Sequence, residues 1–296
     1  MRQKLTVIVP CKNERTNIRA CIESFYAIAD EVLIADSGST DGTREIAEKF
    51  NRVRVIEREY VFSGDFKNWA IPQARNDWVM IVDADERVTW QLAAEIWEVL
   101  SEMPKHDGYW INRNNHFFGR RLYFGDARTD GVIRLFKRDL GSYVGPSDHG
   151  EIEILTERVG KLKNSFDHFS VWDYDAYFRK FHRYTTFQAQ QWHDDGKDTS
   201  SFKLLVRPMF RFFREWILQG SILDGKVGLQ TAWMAAMYSF MKQARLWELN
   251  HAVAPPRFDE DEQFEQSIDD SDSASGSAPG DSDDTSAPVD NYRAAA

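Results

Sequence analysis

The chain has 296 residues, enough for one large domain or two small ones, and a formal net charge of −10 at pH 7. Residues 256–296 carry the whole of that charge, with twelve acids and two bases, because the preceding residues contain 35 of each. This tail is rich in Ser, Asp, Gly, Ala and Pro, so we expect it to be disordered. A solubilising tail explains its composition better than a specific docking peptide does.

The cysteine content and the N-terminus exclude several classes of protein. Cys11 and Cys21 fall in segments predicted as a core strand and a helix, which indicates a reduced, cytosolic protein without a disulfide framework. The apolar run Val7–Val9 ends at Pro10 and is shorter than the roughly 7–15 residues of a signal peptide. No apolar stretch reaches the roughly 18 residues of a transmembrane helix. We therefore expect a cytoplasmic protein.

Strands and helices alternate through the first third of the chain. A helix is expected to open at Asn13-Glu14, and helices also fit residues 44–50 and 66–74. The predicted strands are Leu5–Val9, Val32–Ala35, Val53–Ile56 and Trp78–Val82. This alternation predicts an α/β domain with a mainly parallel sheet and helices on both faces.

Polar residues follow three of these strands at the points where the strands end. They are Asn13 and Glu14 after the first strand, Asp36 after the second, and Asp83 with Asp85 after the fourth. Ligands bind beyond the carboxyl ends of the strands in such sheets. The convergence of three strand ends on one rim is the main functional signal in the sequence.

Asp83 and Asp85 are separated by one small residue, Ala84. Side chains alternate along an extended chain, so the two carboxylates would point the same way if the extension persists past Val82. Two adjacent carboxylates repel each other, and Mg²⁺ or Mn²⁺ relieves that repulsion while keeping sites for substrate phosphates. The alternative is an acidic turn after a strand.

Three strings in this region resemble inverting family 2 glycosyltransferases of the GT-A fold. They are Val9–Glu14, Asp36–Thr43 and Asp83–Glu86, and the resemblance covers about residues 4–140. It implies a metal-dependent enzyme that uses a nucleotide-activated sugar, most simply UDP-glucose. No GxxxxGK[ST] loop is present to hold the diphosphate, which leaves a metal ion to compensate its charge.

The resemblance also implies roles for individual residues. The donor would be held by Pro10, Asn13, Glu14, Asp36, Ser37, Lys67, Asn68, Asp83 and Ala84. Mn²⁺ or Mg²⁺ would be held by Asp85, with Asp83 and His168 as further ligands. Ser37 stands where family members often have a second acid, Lys67 could instead lie on a solvated helix face, and His168 could be structural.

The segment between residues 108 and 155 is interpreted as acceptor-binding. Strands at 108–111 and 132–136 flank an Arg-rich stretch, 113–130, that is either an acceptor loop or partly ordered. An inverting transfer needs a base near the acceptor hydroxyl. We favour Glu151 and then Asp148, with His149 orienting either one. In the lipopolysaccharide-core β-glucosyltransferases that the sequence resembles, His is usually followed directly by Glu at this place, whereas here Gly150 separates them. The alternative is an ordinary solvated loop.

Residues 174–192, 202–219 and 226–249 are predicted to be helices. Between residues 200 and 250, seven bases against three acids are interleaved with aromatic residues. This pattern is typical of an interfacial membrane helix or a nucleic-acid surface, or of an aromatic core stripe with bases outside it. The strings Arg134–Arg138 and Leu223–Gly225 resemble those of lipopolysaccharide-core β-glucosyltransferases. That resemblance implies a glycolipid or saccharide acceptor, an anionic membrane surface as a partner and no nucleic acid.

The sequence therefore predicts three regions. Residues 1–170 form the GT-A nucleotide-sugar-binding and catalytic domain, 171–252 a helical region that associates with membranes, and 253–296 an acidic disordered tail. The predicted location is the cytoplasm, with peripheral attachment to the inner face of the cytoplasmic membrane. Two rival hypotheses are a polyprenyl-phosphate glycosyltransferase and a non-catalytic sugar- or membrane-binding protein on the same fold.

Overall fold

A computed structural model describes residues 1–126, 130–144 and 151–253 of the chain. Residues Met1–His251 form one compact unit. The predicted acidic tail lies outside the described residues, as do Asp148 and His149. Within the described ranges, no helix has the length and apolar character needed to span a bilayer.

The described unit contains eleven strands and seven α-helices. The strands are β1 Leu5–Cys11, β2 Glu31–Asp36, β3 Val53–Glu57, β4 Trp78–Ile81, β5 Glu86–Val88, β6 Gly108–Phe117, β7 Arg120–Arg121, β8 Gly131–Lys137, β9 Gly141–Val144, β10 Glu151–Ile154 and β11 Val159–Val171. The helices are α1 Ile18–Phe25, α2 Thr43–Ala47, α3 Ser63–Ala70, α4 Trp90–Ser101, α5 Tyr174–Asp194, α6 Ser201–Phe213 and α7 Gly225–His251.

The central sheet has the order β3-β2-β1-β4-β8-β6-β11-β5, with β7 paired to β6. Strands β3, β2, β1 and β4 are parallel to one another, and β6 is parallel to β11. Cys11 lies opposite Asp36, so the carboxyl ends of β1 and β2 are level. The predicted α/β fold with a mainly parallel sheet and C-terminal helices is confirmed.

Apolar residues on both faces of the sheet form two cores. One core packs α1 and α4 against the sheet, with Ile22, Phe25 and Leu92 fully buried. The other packs α3 against the opposite face through Phe66 and Ala70. Because the faces are covered by helices, the ends of the parallel strands are where polar groups meet solvent.

Of the two alternatives for the Arg-rich stretch 113–130, the structure has the partly ordered one, because β6 continues to Phe117 and β7 follows at Arg120. Two other features differ from the expectation. Strand β11 was not predicted, and it carries His168 between β6 and β5. The first helix begins at Ile18 rather than at Asn13, whose φ of 56° is left-handed and incompatible with a helical turn.

The C-terminal helices pack mainly on one another. Helix α7 contacts both α5 and α6, and α5 also contacts β11. Helix α5 begins at an Asp173 cap whose side chain accepts a hydrogen bond from the Ala176 N–H group. Its first turns then reach back toward the carboxyl ends of the sheet, where they complete the site described next.

Candidate active site

A cleft of about 770 Å³ opens at the carboxyl ends of β1 and β4. It is large enough for a nucleotide sugar, since ligand sites span about 300–1,000 Å³. Eight of the predicted site residues line it: Pro10, Glu14, Ser37, Lys67, Asp83, Ala84, Asp85 and His168. Residues Lys180, Arg183 and Tyr184 of α5 line the opposite side, and no local sequence pattern indicated them as site residues.

The loops after β1 and β2 are held together by hydrogen bonds. Asn13 donates its N–H to Ser39 Oγ and accepts from the Thr40 N–H at 2.8 Å. The Glu14 N–H donates to Thr43 Oγ1. The buried Asp36 carboxylate accepts from the N–H groups of Gly38 and Ser39. Asn13 and Asp36 therefore shape the rim, and neither belongs to the cleft lining.

Asp83 and Asp85 point to different partners, so the expected parallel orientation is wrong. Strand β4 ends at Ile81, and the chain turns so that the Glu86 N–H donates to the Asp83 carbonyl at 2.8 Å. The Glu86 carboxylate in turn accepts from the Asp83 N–H. The alternation of an extended strand is lost at this turn, which separates the two carboxylates.

Asp83 is bound between two buried cations. Its carboxylate lies 3.0 Å from Lys67 Nζ and also accepts a hydrogen bond from the Arg134 guanidinium. Burial alone would raise the pKa of Asp83, but Arg134 and Lys67 outweigh it and hold the pKa far below its usual value. The pKa of Lys67 is raised, because the attraction of Asp83 outweighs the effect of burial. Lys67 thus faces Asp83 rather than solvent.

Asp85 faces His168 and Lys180. Its carboxylate lies 3.7 Å from His168 Nε2 and 3.3 Å from Lys180 Nζ, which also donates to the Ser170 carbonyl. Burial would raise the pKa of Asp85, but His168 and Lys180 lower it to about 2. Burial lowers the pKa of His168, and the Asp85 carboxylate more than reverses that effect.

Asn115 fixes the orientation of the His168 ring. Its Oδ1 lies 2.7 Å from His168 Nδ1, and its Nδ2 donates to Asp130 at 2.9 Å. Because an amide oxygen only accepts, the contact assigns the proton to Nδ1 and leaves Nε2 toward Asp85. Such support of a histidine is the usual arrangement behind a metal ligand.

A buried network of charges connects the two aspartates. Arg134 donates to Glu86, which is fully buried, and Arg113 lies 3.6 Å from the same carboxylate. Arg113 also pairs with Asp130, and Asp130 accepts from Asn115, which orients His168. Sequence analysis treated Arg113 as an acceptor-loop residue and gave Arg134, Glu86 and Asp130 no role in the site. Only their position after strand pairing reveals them.

The predicted metal ligands do not form one set. Within the described parts of the chain, no group of three or more His, Cys, Asp and Glu side chains is arranged to hold a metal ion. Asp85 and His168 lie together, whereas Asp83 is turned toward Lys67 and Arg134. A cation in this cleft would therefore have two protein ligands, Asp85 and His168.

The remaining predicted residues lie around the cleft. The Asn68 amide bonds both the N–H and the carbonyl of Tyr143, so it fixes β9, and Tyr143 rather than Asn68 lines the cleft. Glu151 begins β10 opposite Val144, and the next residue, Ile152, lines the cleft. Asp148 and His149 lie outside the described residues, so their predicted roles stay untested.

The family model for glycosyl transferase family 2 matches residues 6–182. The match spans the sheet, the cleft and the start of α5 with Lys180. The chain belongs to glycosyl transferase family 2. It is therefore a glycosyltransferase, and the sheet order together with this membership identifies the fold as GT-A.

Two curated relatives match most of the chain. The lipopolysaccharide core biosynthesis glycosyltransferase LpsC of Rhizobium meliloti is 27% identical over 261 residues, which cover 86% of this chain and 96% of the relative. An uncharacterized glycosyltransferase of Rickettsia conorii is 26% identical over 264 residues, covering 84% and 91%. The family 2 protein is thus similar along its length to an enzyme of lipopolysaccharide core biosynthesis.

Solved structures show more distant similarity. Glucosyl-3-phosphoglycerate synthase of Mycobacterium tuberculosis overlays with a TM-score of 0.43 at 16% identity, covering 56% of this chain and 72% of the other. The 1–349 fragment of S. aureus TarS gives the same score and identity, covering 86% and 94%. At these values the overlays carry no information about the site residues.

Proposed function

We propose that this glycosyltransferase is metal-dependent and inverting, and that it moves glucose from UDP-glucose to a lipopolysaccharide-core or similar glycolipid acceptor. The observation that carries the proposal is the Asp85–His168 pair, 3.7 Å apart in a cleft of about 770 Å³. An acid and a supported histidine at the rim of the parallel strands fit a phosphate-bound cation.

The donor set fits Mn²⁺ or Mg²⁺ with two protein ligands. These cations are usually held by one or two carboxylates together with substrate phosphates and water, so Asp85 and His168 suffice. A bound cation would compensate the negative charge that develops on the departing diphosphate. Asp83 would contribute indirectly, because Lys67 and Arg134 already neutralise it.

The cations of the cleft support binding of a diphosphate. Lys180 and Arg183 lie on the α5 side of the cleft, and Lys67 lies on the other. Fixed cations in a partly dry cleft stabilise anionic groups more strongly than they would in water. Ser37, Pro10 and Glu14 on the β1 and β2 side would hold the nucleoside.

We assign the base to Glu151. An acceptor hydroxyl would attack the anomeric carbon while its proton passes to the Glu151 carboxylate. The bond between that carbon and the diphosphate oxygen would break, its electron pair leaving with UDP, and the configuration at carbon would invert.

The donor and acceptor rest on similarity. Similarity to an enzyme of lipopolysaccharide core biosynthesis over 96% of that enzyme's length supports a core sugar as the acceptor. Glucose and UDP follow from the resemblance of the motifs to lipopolysaccharide-core β-glucosyltransferases.

A membrane-facing helix supports a glycolipid acceptor. Helix α6 contains three bases and no acid. More than half of each of five large apolar side chains on it is exposed: Phe202, Leu205, Met209, Phe210 and Phe213. Apolar area flanked by cations binds the interface of an anionic bilayer. We infer peripheral attachment at the inner face of the cytoplasmic membrane.

The transfer reaction tests the proposal directly. Labelled UDP-glucose with Mn²⁺ is offered either lipopolysaccharide-core oligosaccharide or polyprenyl phosphate, and the anomeric configuration of the product is read by NMR. We expect label in the core acceptor with inverted configuration. Label in polyprenyl phosphate would support the rival acceptor, and retention of configuration would contradict the mechanism.

A further inference from the structure

A second cavity, of about 400 Å³, lies between the C-terminal helices and the ends of β6 and β11. Its volume falls within the range of ligand sites, about 300–1,000 Å³. Residues of β6, β11, α5, α6 and α7 line it, among them Ser170, Tyr177, Arg211, Tyr238 and Lys242. The walls are mostly aromatic and aliphatic, and the charged side chains among these lining residues are both cationic.

Of the two cations that line the cavity, Lys242 is the one whose positive charge is not balanced by an ion pair recorded among the described residues. Its Nζ lies 4.5 Å from the ring centroid of Tyr238 and 5.3 Å from that of Trp192. Its pKa is lowered by burial and by the nearby charges of Arg211 and Arg207. In the described part of the chain, none of the recorded ion pairs includes Lys242. Arg211, by contrast, pairs with Asp126.

The cavity adjoins the active-site cleft at one residue and helix α6 at another. Ser170 lines both cavities, and its carbonyl accepts from Lys180, the residue that contacts Asp85. Arg211 belongs to α6, the helix that also carries the exposed apolar residues from Phe202 onward. The cavity therefore lies between α6 and the cleft.

We propose that this cavity is the acceptor subsite for a phosphate-bearing lipid, with the phosphate beside Lys242 and the apolar chain along Tyr177 and Tyr238. The inference rests on the proposed function, because it names the part of a glycolipid acceptor that lies outside the transfer cleft. An anion beside Lys242 would supply the missing charge, and the aromatic walls would cover the chain.

Calorimetry with decyl phosphate, kept below its micelle concentration, tests the subsite on the full-length protein. The matched variants are Lys242→Gln and Lys226→Gln, which remove the same charge from one helix. Lys226 is exposed at the start of α7 and does not line the cavity. We expect Lys242→Gln to weaken decyl phosphate binding about tenfold or more, the loss of one charged contact, and Lys226→Gln to leave it unchanged.

Two further probes separate the components of the site. Inorganic phosphate and decyl glucoside should each bind at least tenfold more weakly than decyl phosphate. Equal binding of either probe would overturn the phosphate-lipid assignment, as would equal effects of the two lysine variants or failure of decyl phosphate to bind.

UDP binding with Mn²⁺, measured on the same samples, separates this inference from the proposed function. The subsite predicts that Lys242→Gln binds UDP as the unsubstituted protein does and that its KM for the lipid-linked acceptor rises while kcat is kept. Failure of UDP to bind the unsubstituted protein would contradict the proposed function, whereas a selective failure of decyl phosphate would contradict only the subsite.

Discussion

The two acidic residues of the Asp83–Asp85 turn differ in what surrounds them. Asp83 is part of a closed group of charges with Lys67 and Arg134, whose side chains are nearly buried. Asp85, which lines the same cleft as Asp83, instead contacts His168 and Lys180. We therefore expect Asp83 to neutralise its two cations and Asp85 to be the carboxylate that contacts a ligand.

Asp83→Asn should destabilise the protein by about 3 kcal/mol, because it leaves the buried Lys67 without its anion and Arg134 with Glu86 alone. Urea unfolding at pH 7 measures the change. The matched control is Asp77→Asn, whose side chain is 84% exposed and should change stability by less than about 0.5 kcal/mol. Equal effects of the two substitutions would contradict a closed charge group.

Asn115 is predicted to act through His168. Asn115→Ala should weaken Mn²⁺ binding in the presence of UDP about 10–100-fold, because the ring loses the acceptor that orients it. Electron paramagnetic resonance of free Mn²⁺ measures the affinity. Asn115→Asp keeps an acceptor beside Nδ1 but places a second anion against Asp130, so it should restore the Mn²⁺ affinity only in part. An unchanged affinity in Asn115→Ala would show that His168 is not a ligand.

At the scale of the elements, local patterns predicted the early strands but not the pairing of the later ones. The apolar runs at Leu5 and Trp78 gave strands because both faces of the sheet are covered there. Strand β11 mixes Lys, Asn, Ser and Asp with its apolar residues, so its pattern gave no clear signal. Its partners β6 and β5 are distant in sequence, and a single sequence does not show such pairing.

Asp107 connects three of these later segments just before β6. It accepts from Thr156 at 2.9 Å and lies 2.8 Å from Lys137 Nζ and 3.6 Å from Arg158 Nε. The hydrogen bond from Lys137 is the main reason why its pKa is lowered in the folded state, although burial acts in the opposite direction. A lowered folded pKa gives stability that is present above the unfolded value, about 3.9, and is lost as the pH falls.

Asp107→Asn should therefore lower the free energy of unfolding by about 1–2 kcal/mol at pH 7. The difference in this free energy from the unsubstituted protein should shrink as the pH falls below about 4. Both lysine and arginine partners are half exposed, which keeps the cost modest. Urea unfolding as a function of pH checks it. A difference that is constant down to pH 2 would show that the charge of Asp107 is not the cause.

Helix α6 is predicted to bind anionic membranes. Flotation with vesicles containing anionic lipid should recover the protein at low salt, whereas zwitterionic vesicles should not. Replacing Phe202 and Leu205 with Ser should abolish flotation, and the same change at the exposed Val61 and Leu155, which lie outside α6, should not. Binding that survives loss of the α6 residues, or self-association at that face, would contradict the membrane assignment.

At the scale of the whole molecule, the cleft is assembled from the ends of β1, β2 and β4, from the later strands of the sheet, and from helices α3 and α5. The sequence predicted that Asn13, Glu14, Asp36, Asp83 and Asp85 converge on one rim, because the carboxyl ends of neighbouring parallel strands share one edge. Glu14, Asp83 and Asp85 line the cleft, whereas Asn13 and Asp36 hold the loops beside it. The sequence did not predict Lys180, since the angle at which α5 returns to the sheet depends on tertiary packing. The orientation of Asp83 was missed because it is set by Arg134, which strand pairing brings from 51 residues away.

Binding of UDP in the presence and absence of Mn²⁺ tests the central claim most directly. Calorimetry compares the unsubstituted protein with Asp85→Ala and with Asp77→Ala, an exposed aspartate outside the cleft. We predict that Mn²⁺ tightens UDP binding about tenfold or more in the unsubstituted protein and in Asp77→Ala, and that Asp85→Ala abolishes this gain. UDP binding that is indifferent to Mn²⁺, or a gain that persists in Asp85→Ala, would contradict the account.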